Sequence, residues 1–269
     1  MRRSLGRTVT LNIFTIVLDG SPWIGAQFAE LCRLRDVDWH WSIVEGAAMP
    51  VKDTGWMANQ SGKVSHDGTH QFLQALALHP RITVNSKPEW GGKTEMINAA
   101  LTAFKNDGVL LQMDSDELWT AQQMADLIPL FDGNPEINTL KIKMEYMLGP
   151  NVKSTSTDGY GNRKNEWVRA WRYSVGLWME RHEPPIFNGN KGKICERDEA
   201  TAMLGPILHM AWVTPQQVAQ KQRIYKGGYE NACEDWERLQ NNTQWPVKDL
   251  KQFLPWVGNG ASADLLFKQ

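Results

Sequence analysis

The sequence predicts an α/β fold with a mostly parallel, doubly wound sheet and a smaller subdomain. Two observations predict it. Apolar runs of strand length alternate with amphipathic runs of helix length through the first half of the chain, with mostly short connections. After residue 135 this alternation gives way to a less regular pattern. We therefore expect two halves, residues 8–135 and 136–269, that are continuous as a single domain.

The first half alternates strand and helix, beginning with a strand and ending with a helix. The clearest helix covers residues 93–104, where apolar residues at helical spacing form one stripe. Thr120 is a candidate N-cap for the last helix of this half. The other predicted segments are strands at 10–18, 37–45, 82–84 and 109–113, helices near 24–32, 72–76 and 120–127, and a polar loop at 49–67.

The second half is less regular. Leu140, Ile142, Met144 and Tyr146 alternate with polar residues, which predicts one strand with a single covered face. The remaining predicted segments are a polar loop at 151–165, a strand at 167–173, a helical region at 215–240 broken near 227–228, and a tail at 246–269 with at most one short helix.

Composition limits the class of protein. The net charge of -1 gives no overall attraction to nucleic acid or an anionic membrane. The three cysteines, Cys32, Cys195 and Cys233, are far apart, which indicates a reducing compartment without a disulfide framework. The apolar run at 13–18 is short and has no cleavage site after it, so we interpret it as a buried strand and expect a cytoplasmic protein with no integral membrane segment.

Thirteen tryptophans are the unusual part of the composition. Tryptophan most often fills a core, but indole rings also stack on sugars and bases. Composition alone does not choose between these functions.

An acidic cluster follows the strand at 109–113 directly. Asp114 and Asp116 are two residues apart, at the strand end where ligands of open α/β sheets bind. Two carboxylates at this spacing can face one divalent cation, and oxygen ligands suit Mg²⁺ or Mn²⁺. The alternative is a solvated turn that caps the next helix.

Three segments give the first half a resemblance to GT-A glycosyltransferases, in particular to family 2-like members. The acidic cluster resembles the DXD motif of that family, and the stretch from His209 to Trp212 is similar to an H-x-x-W segment in some GT-A enzymes. The segments that carry the resemblance are residues 13–20, 90–101 and 110–117.

The resemblance implies a GT-A, Rossmann-like sheet in which residues 8–135 bind a nucleotide sugar and residues 136–269 form the acceptor side. The metal, Mn²⁺ or Mg²⁺, would be held by Asp116 directly and by His209, with Asp114 near the ribose and the metal's water. The remaining residues implied to line the nucleotide pocket are Asp19, Glu45, Lys93 and Asn98. The sequence Glu45-Gly46-Ala47 departs from the family's usual nucleotide turn, so uridine is only one of the possible bases.

The family's usual acidic base signature and its processive acceptor motif are absent, which argues against a polymerising synthase. A transferase that inverts the anomeric centre still needs a base to take the acceptor's proton. Glu183 is the first choice and His182 the second, and the alternative is an ordinary proline-rich loop. His66 and His70 have the spacing of a helical metal pair, but a polar loop is the preferred interpretation because Gly68 lies between them.

Four functions stay open from the sequence. The leading one is metal-dependent transfer of a sugar, with UDP-sugar the expected donor, to a hydroxyl of a glycan. The others are transfer to a hydroxymethylated DNA base, sugar nucleotidyl transfer, and a non-catalytic sugar-binding module. The basic cluster Lys221, Arg223 and Lys226 fits a solvated helix face, a diphosphate contact or a charged acceptor.

Overall fold

The computed structural model describes residues 9–51, 54, 64–156, 168–189 and 191–267. Within them the chain has the α/β fold with a large, mostly parallel sheet that the sequence predicted. The first half contains β1 (Thr10–Val17), α1 (Trp23–Arg33), β2 (Asp38–Ala48), α2 (Thr69–Leu76), β3 (Ile82–Trp90), α3 (Lys93–Leu101), β4 (Gly108–Gln112), β5 (Glu117–Leu118) and α4 (Ala121–Gly133).

The second half adds shorter strands and three helices. They are β6 (Ile137–Lys141), β7 (Met144–Gly149), β8 (Val152–Ser154), β9 (Val168–Tyr173), β10 (Met179–Arg181), β11 (Ile186–Phe187), β12 (Lys193–Cys195), α5 (Arg197–Leu204), β13 (Ile207–His209), α6 (Pro215–Ile224), α7 (Ala232–Gln240) and β14 (Ala263–Leu265). A single turn of 3₁₀ helix, Leu250–Gln252, lies in the tail.

The large sheet has the strand order β12-β6-β9-β4-β1-β2-β3. Strands β3, β2, β1 and β4 are parallel, and β9 runs antiparallel between β4 and β6. Adjacent residues of β1 face different cores, because Ile13 packs with α1 and Phe14 with α3 on the other face. Because both faces are buried, the sequences of β1 and β4 are mostly apolar and do not alternate between apolar and polar residues.

A second sheet, of order β14-β8-β7-β13-β5, meets the first at the acidic cluster. The short β5 pairs antiparallel with β13, and this pairing sets Glu117 opposite His209. β13 also pairs parallel with β7. Residues almost a hundred positions apart in the chain therefore lie side by side just after the end of β4.

Two expectations for the second half were wrong. The alternating stretch from Leu140 to Tyr146 is not one strand, because β6 and β7 belong to different sheets and the chain crosses between them at 142–143. All four apolar residues of this stretch are buried. The alternation of apolar and polar residues therefore continues although the chain passes from one sheet to the other. The predicted loop at 151–165 contains β8, which pairs with β7 and β14, while residues 157–165 lie outside the described residues.

Several other strands and helices begin or end at residues that differ from the predicted ones. β2 and β3 extend to Ala48 and Trp90 because the two strands stay paired up to these residues. α4 begins at the predicted cap, where Thr120 and Gln123 form a reciprocal capping box. Most of the loop predicted at 49–67, and Trp167 of the predicted strand at 167–173, lie outside the described residues. In the part of the chain that is described, no helix is long and apolar enough to cross a membrane.

Candidate active site

The acidic segment after β4 forms a tight turn. The backbone N–H of Glu117 donates to the carbonyl of Asp114 at 2.9 Å, which folds the two ends of the segment together. The buried amide of Gln27, from α1, donates to both the Asp114 and the Glu117 carbonyls, at 2.5 and 2.8 Å. The turn is therefore fixed through its backbone, which leaves its side chains available for other contacts.

A buried arginine holds two of the acidic side chains. Arg169, on β9, donates from Nε and Nη2 to the Glu117 carboxylate, with a shortest distance of 2.6 Å. Nη2 also lies 3.1 Å from Oδ2 of Asp114, and Gln112 donates to Oδ1 of the same carboxylate at 2.9 Å. Burial alone would lower the pKa of Arg169, but the two carboxylates raise it above its ordinary value.

Asp116 points to a different set of partners. Its Oδ1 lies 3.3 Å from Nε2 of His209, and its Oδ2 lies 3.1 Å from Nζ of Lys221 on α6. Its carbonyl accepts the backbone N–H of Met210 at 2.7 Å, which fixes the turn to the strand that carries His209. Burial would raise the pKa of Asp116, but Lys221 and His209 hold that pKa well below its usual range.

Asp116 and His209 fit a site for a divalent cation completed by a substrate. Among the described residues, no three His, Cys, Asp or Glu side chains converge to hold a metal on their own. Mg²⁺, however, is commonly bound by one or two carboxylates together with substrate phosphates. The carboxylate oxygen and the imidazole nitrogen, 3.3 Å apart, are suitably close for two neighbouring ligands. Asp114 is less suited, since its oxygens accept from Gln112 and from Arg169, an arginine that is also bound to Glu117. The carboxylate of Asp116 instead faces His209 and the flexible side chain of Lys221.

Lys93, Glu183 and His182 approach this cluster from two other elements. Burial lowers the pKa of Lys93, at the start of α3, and the carboxylates of Glu183, Asp114 and Asp116 oppose this shift. Burial would raise the pKa of Asp114, but Arg169 lowers it, and His182 is close enough to contribute to that lowering. Nδ1 of His182 lies 3.4 Å from Oε1 of Glu183. The structure therefore brings the predicted base residues and the predicted metal residues into one cluster.

Asn98 supports this cluster indirectly. Its side-chain amide donates to the Met179 carbonyl at 3.0 Å and accepts the Met179 N–H at 2.7 Å. Met179 begins β10, and His182 and Glu183 lie in the turn between β10 and β11. In this arrangement Asn98 fixes the hairpin to α3, and both polar ends of its amide are used for that purpose.

The predicted nucleotide residues Asp19 and Glu45 lie in different environments. Asp19 follows β1 in a left-handed backbone conformation with φ of 58°, and its carboxylate accepts the His66 N–H at 2.7 Å. Glu45 is fully buried, and its carboxylate contacts Ser65, His70 and Ser86 at 2.6 to 3.1 Å. Glu45 thus fastens the segment that begins near residue 64 to the sheet, and its role toward a nucleotide stays a prediction.

Sequence reasoning missed Arg169, Gln27 and Tyr225. Strand β9 carries Arg169 and Arg172 among apolar residues. An arginine in such a strand is a signal that could have been used, because a buried arginine requires an acidic partner. Tyr225, just after α6, has its pKa raised first by burial and then by Asp116 and other nearby groups. Nothing in the local sequence distinguishes Gln27 or Tyr225 from ordinary helix and loop residues.

The tryptophans of the second half divide between core and surface. Trp171 and Trp212 are buried, as core residues, whereas Trp178 is 49% exposed at the base of the β10–β11 hairpin. Trp212 packs in an aromatic group with Tyr225, Tyr229 and Trp256.

No protein-family model matches the chain, and no curated protein matches it. Solved structures with a related arrangement were found. TarS of S. aureus has a TM-score of 0.47 at 10% identity, with 88% of this chain and 44% of that chain covered. The mannosyltransferase PcManGT of Pyrobaculum calidifontis, in complex with GDP-Man and Mn²⁺, has a TM-score of 0.37 at 17% identity, with 49% and 34% covered.

The glucosyl-3-phosphoglycerate synthase of Mycobacterium tuberculosis, in complex with Mn²⁺, UDP and phosphoglyceric acid, has a TM-score of 0.36 at 19% identity. Its alignment covers 51% of this chain and 43% of that one. The chain therefore spans less than half the length of each of these solved structures.

Proposed function

We propose that this protein is a glycosyltransferase that moves a sugar from a nucleoside diphosphate sugar, with UDP-sugar the expected donor, to a hydroxyl acceptor. The observation that carries the proposal is the pairing of Asp116 with His209 beside Lys221, in the turn that follows a parallel strand. Ligands of open α/β sheets bind beyond the carboxyl ends of such strands. A diphosphate placed there would meet a cation site and a lysine together.

The charges of the cluster favour a divalent cation, Mn²⁺ or Mg²⁺. Four carboxylates face three basic side chains within the described cluster. The carboxylates are Asp114, Asp116, Glu117 and Glu183, and the basic side chains are Lys93, Arg169 and Lys221. An incoming diphosphate adds further negative charge and needs compensation. A cation held by Asp116 and His209 would supply Lewis-acid stabilisation of the departing diphosphate.

The protein's own residues have distinct tasks in this proposal. Arg169 and Gln27 keep the acidic turn in one conformation, so Asp116 is presented without reorganisation. Lys93 and Lys221 stabilise negative charge that develops on the diphosphate. Glu183 takes the proton of the acceptor hydroxyl, and His182, 3.4 Å away, stabilises the carboxylate.

The acceptor is proposed to be a hydroxyl of a glycan, and a hydroxymethylated DNA base is the alternative. The near-neutral chain offers no overall charge that would concentrate DNA. Parallel transfer assays with oligosaccharides and with hydroxymethylated duplex DNA, each with UDP-, GDP- and dTDP-sugars, separate the two acceptors. Release of free sugar from the donor in the absence of any acceptor provides a measure of donor use alone.

Asp116→Asn tests the proposed function. The amide keeps the size of the side chain but removes the charge that would bind the cation, so we expect transfer to fall by about 10²-fold or more. Metal-dependent nucleotide binding, measured by calorimetry, should be lost as well. Asp132→Asn, at an exposed position of α4, is the matched control and should behave as wild type. Undiminished transfer by Asp116→Asn, with the melting temperature unchanged, would contradict the proposal.

A further inference from the structure

Two consecutive residues of α6 contact the opposite sides of the candidate site. The Gln220 side chain donates to the carbonyl of Leu18, at the end of β1, at 2.8 Å. Its neighbour Lys221 donates to Oδ2 of Asp116 at 3.1 Å. Since β1 precedes the predicted nucleotide turn and Asp116 belongs to the predicted metal site, α6 spans both parts of the donor site.

The ammonium of Lys221 makes three contacts. Besides the Asp116 carboxylate, its ammonium donates to the carbonyl of Ala211 at 2.6 Å. The same Nζ lies 5.0 Å from the centre of the Trp212 ring, within the range of a cation–π contact. Its side chain is only 12% exposed. The lysine is therefore the built-in counter-ion of Asp116, and not a solvated charge on the helix surface.

The proposed metal needs the same carboxylate. Oδ1 of Asp116 faces His209 and Oδ2 faces Lys221, so a divalent cation on Asp116 would stand beside the ammonium. Two cations a few ångströms apart repel one another strongly when both are partly buried. An ammonium on a flexible four-carbon stem is the group that can move, because His209 is fixed by its strand and by contact with Tyr146.

We infer that Lys221 is an exchangeable counter-ion: it neutralises Asp116 in the ligand-free protein, gives way to the divalent cation, and then binds the diphosphate of the donor. This inference rests on the proposed function and assigns to one residue the coupling of metal binding to nucleotide binding. Because α6 is anchored to the end of β1 through Gln220, the displaced ammonium stays within the donor site. The nearest strong acceptor that the reaction introduces there is a diphosphate oxygen.

Lys221→Met is the variant that separates this role from a structural one. Methionine keeps the unbranched stem and removes the charge, so Mn²⁺ alone should bind about tenfold more tightly, as followed by the loss of the free Mn²⁺ signal in electron paramagnetic resonance. The nucleotide for calorimetry is UDP, or whichever of UDP, GDP and dTDP the wild type binds best. At saturating Mn²⁺, Lys221→Met should bind this nucleotide about tenfold more weakly than wild type does. The two affinities move in opposite directions, which a merely structural role does not produce.

Two control variants sharpen the comparison. Lys226→Met makes the same substitution at an exposed position just beyond α6, and both affinities should match wild type. Lys221→Arg restores a cation at the site and should return the Mn²⁺ affinity to near the wild-type value.

A measurement on the wild-type chain covers the case in which Lys221→Met fails to fold. Reductive ¹³C-methylation labels the lysines, and Lys221→Arg identifies the Lys221 resonance by its disappearance. Mg²⁺ alone should move that resonance, and UDP added afterwards should move it again. A resonance that Mg²⁺ leaves in place overturns the inference.

The remaining outcomes are distinguishable. If wild type binds Mn²⁺ and a nucleoside diphosphate but Lys221→Met leaves the Mn²⁺ affinity unchanged or weakens it, the inference on Lys221 is overturned and the proposed function stands. If wild type binds neither Mn²⁺ nor any of the three nucleotides, the proposed function itself fails and this inference fails with it.

Discussion

Arg169 shows how much a single buried side chain determines at this site. It joins the acidic turn after β4 to the antiparallel strand β9 through Glu117, and it also reaches Asp114. Removing one partner of a buried ion pair leaves an uncompensated charge, which costs far more than the pair itself contributes. The arginine therefore links the stability of the sheet to the conformation of the proposed site.

Arg169→Met should reduce the free energy of unfolding by about 3–5 kcal/mol, because the Glu117 carboxylate is left buried without its partner. Chemical denaturation provides the measurement. The double variant Glu117→Met/Arg169→Met should recover most of this loss, since neither charge then remains. If the double variant is as unstable as the sum of the single variants, the pair is not the source of the loss.

Substitution of Glu183 tests whether this residue takes the proton of the acceptor hydroxyl. Glu183→Gln removes the proposed base without changing the size of the side chain, and transfer should fall by about 10²- to 10⁴-fold. Binding of UDP with Mn²⁺ should stay at the wild-type level, because the base acts on the acceptor. Retention of full transfer activity would remove Glu183 from the mechanism and leave His182→Gln as the next variant to assay.

Whether a site residue could be predicted from the sequence depended on how far apart in the chain that residue and its contacts lie. Asp114 and Asp116 were found because a buried strand and the turn after it are adjacent in the chain. Arg169 was not found, because its contacts to the turn span 52 and 55 residues and depend on how β9 inserts beside β4. His209 came only from the resemblance, and its distance from Asp116 depends on the pairing of β5 with β13.

Among the elements, the β10–β11 hairpin depends most on a neighbour. It is a two-stranded unit, and short isolated hairpins have little stability of their own. Its attachment to α3 through Asn98 and Met179 therefore positions the turn that carries Glu183. The pattern of the sequence did not predict this hairpin, since strands of two and three residues produce no alternation.

Asn98→Ala should loosen the hairpin. Two hydrogen bonds to Met179 are lost, and an unpaired buried backbone group costs about 1–3 kcal/mol. Hydrogen exchange should accelerate over residues 178–189, and transfer should slow while UDP affinity changes little. Thr102→Ala, at the end of the same helix, is the control and should leave exchange in the hairpin unchanged. Unaltered exchange in Asn98→Ala would show that other packing holds the hairpin.

For the whole molecule, the two sheets share the candidate site. Strands β6, β9 and β12 of the second half complete the large sheet, and β5 of the first half is an edge strand of the second sheet. The fold class was predictable because local patterning identifies parallel β-α units. The division of the second half between two sheets was not, because alternation continues through the crossover at 142–143.

Donor binding should stabilise the whole chain only when both ligands are present. At one hundred times its dissociation constant a ligand adds about 2.7 kcal/mol of stability. For a chain of this size that corresponds to a rise in melting temperature of roughly 5–10 °C. We expect this rise with UDP and Mn²⁺ together, little with either alone, and its reversal by EDTA. A full shift with UDP and EDTA would exclude the metal from nucleotide binding.

The pairing of β5 with β13 has a consequence for dissecting the molecule. A chain shortened to end before residue 207 would keep Asp116 but lose His209, and it would leave the Glu117–Leu118 edge without its hydrogen-bonding neighbour. Bare edges of this kind favour aggregation. Co-expression of the shortened chain with a second fragment that carries β13 is therefore a better way to dissect the protein than expression of the shortened chain alone.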